Sequence, residues 1–179
     1  GIPYWNTDIG GFFNWPYHGG AENKAYHELY TRWFQYGTFL PMQRSHGSGV
    51  KKEIYNLGKK GDWVYDSEEK YINLRYALLP YLYSTGWQVT DNAGSFLRAL
   101  FMDFNEDQKV HTISNQYMFG KAFLVTPVTR NMYVFSDKEQ WKDPYEDFSK
   151  TGTQDVYLPK GTKWFDFWTG EALNGGQVV

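Results

Sequence analysis

A short motif that occurs twice does most to limit what this chain can fold into. Gly1–Phe12 reads G-I-P-Y-W-N-T-D-I-G-G-F, an apolar β-favouring run around one proline, then Asp8, then Gly10 and Gly11. Phe39–Met42 is a second short apolar run, followed by Gln43-Arg44-Ser45-His46-Gly47. Between them, Glu22 to Phe39 carries Tyr26, Leu29, Tyr30, Trp33, Phe34 and Gly37 at the spacing of one amphipathic helical stripe. Strand, helix and strand, with polar groups and glycine after each strand, make a β/α unit. In such units the loops at the carboxyl ends of the strands open on one face. The pattern therefore predicts short strands at Ile2–Trp5 and Phe39–Met42, and it brings Asp8 and His46 together although they are far apart in sequence.

Each of these polar residues has two readings. Asp8 is a site carboxylate, or it caps the glycine turn by accepting backbone N–H groups. His46 taken alone is more often a structural hydrogen-bonder than a site residue; the shared face with Asp8 brings the two readings level. Trp15, Tyr17 and His18 in the loop F-N-W-P-Y-H-G-G line a pocket or fold back on the core. His18 reads as structural or solvated, because no second metal-type residue stands at a suitable spacing.

Downstream, Ser48–Asp66 is a polar excursion with a lysine pair at each end, expected as solvated loop. Asp66–Trp87 reads as a long helix, with Asp66 and Glu69 at capping-box spacing and a kink at Pro80. Asn92-Ala93-Gly94 ends the helical part. Phe96–Phe104, Tyr117–Thr129, Asp155–Pro159 and Thr162–Trp168 are strand-like with no crossover helix between them, the mark of an antiparallel sheet or sandwich. The division falls near residue 93, giving an α/β part over 1–93 and an all-β part over 94–179, with 136–153 a charged insertion read as solvated loop.

A complete (β/α)₈ barrel needs roughly 250 residues. The first part supplies only two units, so it reads as the last quarter of a TIM barrel, followed by the beginning of a β-sandwich. Gly1 opens on an apolar run without methionine, which fits an internal piece of a larger enzyme. A net charge of −2 argues against nucleic acid and anionic membrane as partners. No run approaches the ~18 apolar residues of a membrane span. The absence of cysteine removes thiolate chemistry and leaves the compartment open. Aromatic residues make up 20% of the chain, with 8 Trp and 15 Tyr, side chains that pack cores and also stack on sugar rings.

Several ordered motifs go further. G-I-P-Y-W-N-T-D-I-G-G-F-F, R-W-F-Q-Y-G-T-F-L-P-M-Q-R-S-H-G and L-R-Y-A-L-L-P-Y-L-Y closely resemble glycoside hydrolase family 31, which contains α-glucosidases and α-xylosidases. The resemblance continues through F-L-R-A-L-F-M-D-F, Q-Y-M-F-G-K-A-F-L-V-T-P-V, V-Y-L-P-K-G and W-F-D-F-W-T-G-E, nearly the whole chain outside 136–153. K-K-E-I-Y-N-L-G-K-K-G-D-W is most similar to bacterial α-xylosidases acting on xyloglucan fragments, enzymes that would work in the periplasm or outside the cell.

The resemblance implies a retaining α-glycosidase that uses one Asp as nucleophile and another as acid/base, about 5 Å apart. Both family motifs for those residues lie upstream of G-I-P-Y-W, so no catalytic residue is assigned here, and neither a cofactor nor a metal is expected. The partners implied are an oligosaccharide and the rest of the catalytic domain. What carries over is part of the terminal-sugar subsite: Asp8, Phe12 and His46, with Arg44 preceding the histidine and Trp5 behind. A carboxylate and an imidazole suit vicinal hydroxyls, and an aromatic gives the ring a flat wall. Arg44 contacts sugar or holds a barrel acid such as Asp8, and Trp5 packs rather than touches. Two functions stay open: a catalytic-domain piece that is inactive alone, or a non-catalytic carbohydrate-binding or structural module.

Overall fold

The computed structural model describes residues 3–150 and 152–179. They form two compact units, Gly1–Phe96 with Pro127–Gly152, and Leu97–Thr126 with Thr153–Val179.

In the first unit the central helix α1 spans Lys24–Thr38. It starts two residues later than the apolar pattern indicates, because Asn23 is the cap: its side-chain oxygen accepts the N–H groups of Ala25 at 2.9 Å and Tyr26 at 3.2 Å. Gly20–Glu22 ahead of it form a single 3₁₀ turn. The predicted stripe is the buried one, with Tyr26, Tyr30 and Phe34 packed on Ile9, Leu57 and Val64. Gly37 lies in the last turn of the helix. It opens a groove for Ile9, whose Cδ1 would lie 2.6 Å from a Cβ at that position.

The two predicted strands are corrected. Ile2 lies outside the described residues, Pro3–Trp5 is irregular, and Phe39–Met42 is a series of turns and bends. The parallel contact occurs further along as one bridge, Ile9 with Ser45, in which Ile9 N–H donates to the Arg44 carbonyl at 3.1 Å. The reason is Arg75. Its guanidinium donates to the carbonyls of Thr38 at 2.8 Å, Leu40 at 2.6 Å and Pro41 at 2.9 Å, so these groups are satisfied without a ladder.

The polar excursion after His46 is not all solvated. It contains α2, Ile54–Leu57, and it buries Lys52 and Leu57. The single kinked helix is two helices, α3 over Trp63–Ala77 and α4 over Leu79–Asn92, meeting at Leu78. Pro80 sits in the first turn of α4, where no intrahelical N–H is required, so it begins a helix instead of kinking one. The Asp66–Glu69 capping box does not form: α3 starts at Trp63, and Asp66 accepts from Gly61 N–H at 2.9 Å.

The 127–152 segment is anchored in this unit. It carries the antiparallel pair β4, Val134–Phe135, and β5, Tyr145–Glu146. The buried Glu28 carboxylate of α1 accepts from the N–H groups of Met132 at 2.6 Å and Val134 at 2.7 Å, and from that of Tyr133 between them. Trp63 Nε1 donates to Glu146 Oε1 at 2.9 Å. A loop expected in solvent is therefore clamped from both ends of its hairpin.

In the second unit β1, Leu97–Ala99, β2, Tyr117–Phe119, and β3, Phe123–Val125, form an antiparallel sheet in the order β1-β2-β3. The run expected as one strand over Phe96–Phe104 turns after Ala99 into the helical turn α5, Leu100–Asp103. Two further antiparallel pairs join β6, Tyr157–Leu158, to β9, Gln177–Val178, and β7, Lys163–Phe165, to β8, Ala172–Asn174. Leu100, Val110, Met118 and Tyr157 form the core. Asp107, buried beside it, accepts from Tyr157 Oη at 2.6 Å and from Lys160 N–H at 2.9 Å.

One buried acid in the first unit has poor support. Glu68 of α3 is 1% exposed, its Oε1 meets Thr31 Oγ1 only at 3.5 Å, and Oε2 has no partner among the described residues. Burial pushes its pKa up from 4.5 to about 8. The folded chain thus holds this proton where the unfolded chain has released it, and stability is lost as pH rises from 4.5 to about 8. Glu68→Gln should be no more stable than the parent at pH 4.5 and more stable at pH 8, by on the order of 3 kcal/mol. Urea unfolding at the two pH values checks this; a gap that does not change with pH overturns it.

Candidate functional site

The site is built by the two loops that the Ile9–Ser45 bridge joins. Ile9 is fully buried against α1, which leaves its neighbour Asp8 at the partly exposed edge. Gly10 must then turn the chain away. Its φ is +79°, and a Cβ there would stand 2.5 Å from Tyr30 Cδ2 and 2.7 Å from Tyr26 Oη, so only glycine fits. Gly11 N–H closes the turn on the Asp8 carbonyl at 2.8 Å. The backbone of Asp8 therefore closes the turn, and its carboxylate is left to face Arg44.

That carboxylate is paired with Arg44, Nη2 to Oδ1. The Arg44 hydrogen bond holds the Asp8 pKa below the usual carboxylate range, with smaller help from His46 and Lys52 charges. An acid held ionised in this way accepts hydrogen bonds and does not serve as a proton donor at neutral pH. On the next loop the exposed His46 ring meets the Phe12 ring edge-on, with centroids 5.4 Å apart. Phe12 also contacts Phe13 at 4.7 Å, and Phe13 stacks on Trp15 at 4.5 Å. Trp5 packs beside Tyr36 of α1 at 6.4 Å.

Asp8, Arg44, His46 and Phe12 are thus brought to one place, the repeated motif having predicted the approach of Asp8 and His46, and Trp5 lies beside α1. His18 serves locally through its carbonyl, which accepts Asn23 Nδ2 at 2.7 Å. What sequence reasoning missed is the underside of the site. Lys52 Nζ donates to the carbonyls of Ile9 at 3.1 Å, His46 at 2.6 Å and Gly11. Tyr30 Oη lies 2.8 Å from Ser45 Oγ and donates to the Lys52 carbonyl at 2.7 Å. Nothing in K-K-E distinguishes Lys52 from its neighbour Lys51. The signal that was present is Gly47, where a Cβ would lie 2.6 Å from the Phe12 carbonyl oxygen.

An ionised carboxylate, an imidazole and an aromatic edge on one rim suit a polyhydroxylated ring: acceptors for its hydroxyls and an apolar wall for its C–H faces. Comparison with known proteins identifies a family. Residues 1–85 match the glycosyl hydrolases family 31 TIM-barrel domain, and residues 93–179 match the glycosyl hydrolase family 31 C-terminal domain. The whole chain is 42% identical to 21% of an alpha-xylosidase from Saccharolobus solfataricus. It is 30% identical to 22% of an alpha-glucosidase from the same organism. The crystal structure of a family 31 alpha-xylosidase from Xanthomonas citri superposes on all of the chain with a TM-score of 0.82 at 39% identity, over 18% of its own length. The chain spans about a fifth of the length of the curated relatives it matches. With consecutive matches to both domains of one family along almost its full length, the chain belongs to glycosyl hydrolase family 31.

Proposed function

We propose that this chain supplies part of the terminal-sugar subsite of a retaining, exo-acting α-glycosidase that releases α-linked xylose, or glucose, from the end of an oligosaccharide. In this reading residues 1–93 are the last β/α units of the catalytic (β/α)₈ barrel, and residues 94–179 begin an antiparallel β-sandwich with 136–153 as an insertion. Asp8 accepts from one or two neighbouring hydroxyls, His46 takes another, and Phe12 forms the wall. Arg44 keeps Asp8 ionised and oriented, and Trp5 packs behind. The observation that carries the reading is the convergence of Asp8, Arg44, His46 and Phe12 on one rim. Xylose is favoured over glucose by the higher identity to the alpha-xylosidase than to the alpha-glucosidase of one organism, 42% against 30%.

The nucleophile and the acid/base are assigned to a part of the barrel that precedes this sequence. Asp8 does not serve as the acid/base, because a carboxyl held ionised by Arg44 cannot donate the proton that the leaving group needs. The chain on its own is therefore expected to fold, by circular dichroism, and to leave aryl α-xyloside and aryl α-glucoside intact. Turnover of either substrate would put the catalytic pair among the carboxylates present here and would overturn the assignment. Absence of turnover combined with tight binding of free xylose would instead favour a sugar-binding module.

In the longer enzyme that this reading requires, Asp8→Asn removes a charged acceptor facing hydroxyls. The expected loss is on the order of 3 kcal/mol, or ~100-fold in kcat/KM for aryl α-xyloside. Unchanged kinetics would remove Asp8 from the subsite. Arg44→Met tests the supporting role: the Asp8 carboxyl should titrate higher than in the parent, read by ¹³C NMR, because its principal stabilising partner is gone. An unchanged titration would mean that Arg44 does not hold Asp8 in solution.

A further inference from the structure

Lys52 is 9% exposed, and its ammonium has carbonyl oxygens as hydrogen-bond partners where a buried cation ordinarily finds a carboxylate. The three carbonyls use all three of its donors. Their positions matter more than their number. Ile9 follows Asp8, Gly11 precedes Phe12, and the third carbonyl is that of His46 itself. A single ammonium thus ties together the backbones that carry the carboxylate, the aromatic wall and the imidazole.

The lysine is itself held from below. Its own carbonyl accepts Tyr30 Oη at 2.7 Å, and the same hydroxyl lies 2.8 Å from Ser45 Oγ, one residue before His46. Tyr30 is fully buried in α1, so the backbone of Lys52 is tied to that helix. The cradle leaves no room for a side chain at Gly47, where a Cβ would lie 2.5 Å from Nζ. A strand ladder does not hold the spacing here: among the described residues the two loops share the single Ile9–Ser45 bridge and one further backbone bond, from Ser48 N–H to the Phe12 carbonyl at 2.8 Å.

We propose that Lys52 is the positioning residue of the sugar subsite, fixing the separation of the Asp8–Phe12 loop from His46 and thereby which pair of vicinal hydroxyls the rim can engage. The inference rests on the assignment of Asp8, Phe12 and His46 to sugar contact. Its geometric half does not. Lys52→Met keeps the apolar stem to within one atom and removes every donor, so three carbonyl oxygens converge on nothing and the loops part.

The structural arm uses the chain itself. In Lys52→Met the nuclear Overhauser contact between the Phe12 and His46 rings should vanish, and the Gly11, Phe12 and Gly47 amide resonances should move, with the helical circular dichroism kept. Retention of the ring contact and of those resonances overturns the proposal whatever the sugar does. Because the chain has no cysteine, Lys52→Cys carries one thiol. Alkylated with 2-bromoethylamine while unfolded and then refolded, it regains an ammonium at nearly the reach of lysine. This form should recover the ring contact, which also covers the case in which Lys52→Met does not fold; an alkylated protein no better than the free thiol overturns the proposal.

The kinetic arm uses the longer enzyme. Lys52→Met should raise KM for aryl α-xyloside by up to ~100-fold, the cost of a misplacement near 1 Å. A fall in kcat at unchanged KM, as expected from a smaller folded fraction alone, overturns the positioning role. Asp8→Asn in the same assay separates the two ideas. If Asp8→Asn changes nothing, the sugar reading fails and the ring contact alone decides whether Lys52 sets the spacing; if Asp8→Asn costs activity and Lys52→Met does not, only the positioning role fails.

Discussion

The first unit depends on the burial of Ile9 against Gly37. Ile9 is fully buried, and it can be so only because α1 lacks a Cβ at the point of contact. The two residues beside it then have no freedom. Asp8 emerges at the rim, and Gly10 must adopt positive φ under the rings of Tyr26 and Tyr30. One apolar side chain in one groove thus sets where Asp8 leaves the core for the rim, and the packing of Ile9 carries that step.

Hydrogen bonding instead organises the segments that packing leaves irregular, and it does so by a repeated device. Arg75 gathers the carbonyls of Thr38, Leu40 and Pro41; Lys52 gathers those of Ile9, Gly11 and His46; Glu28 gathers the N–H groups of Met132, Tyr133 and Val134. In the second unit Asp107 joins the N–H groups of Lys109 and Lys160 to the Tyr157 hydroxyl. Each is a charged side chain satisfying groups that have no partner in a ladder, and Asp107 at the same time caps the 3₁₀ turn Gln108–Thr112. Removing any of them exposes several buried groups at once, which is why such ions are more costly to lose than surface pairs.

That device explains which parts of the fold are legible in the sequence. The α1 stripe is legible because a buried helical face imposes its period on many residues at once. The convergence of Asp8 and His46 is legible from the repeated motif, and the family from motifs spread along the whole chain. Phe39–Met42 misleads because a run of four apolar residues looks the same whether its carbonyls meet a strand or a guanidinium from Arg75, far along the chain. Asn23 is masked by Glu22 because a charge at a helix start and a cap at a helix start make similar patterns. Lys52 is invisible for a deeper reason: its role is set by three carbonyls, and backbone groups carry no sequence signature.

The carbonyl cradle of Lys52 has an electrostatic consequence as well as a geometric one. A lysine in contact with an acid forms a pair whose field largely cancels a few ångströms away. A lysine solvated by carbonyl dipoles keeps its net charge, and the charge acts on Asp8 through the low-dielectric floor of the site. Arg44 supplies the direct contact, from a side chain that is half exposed and open to screening by salt. Lys52 supplies a weaker push in the same direction from a largely buried position. The two cations therefore act on Asp8 in different ways. Arg44 fixes the orientation of the carboxylate, while Lys52 keeps the loop beneath it in place.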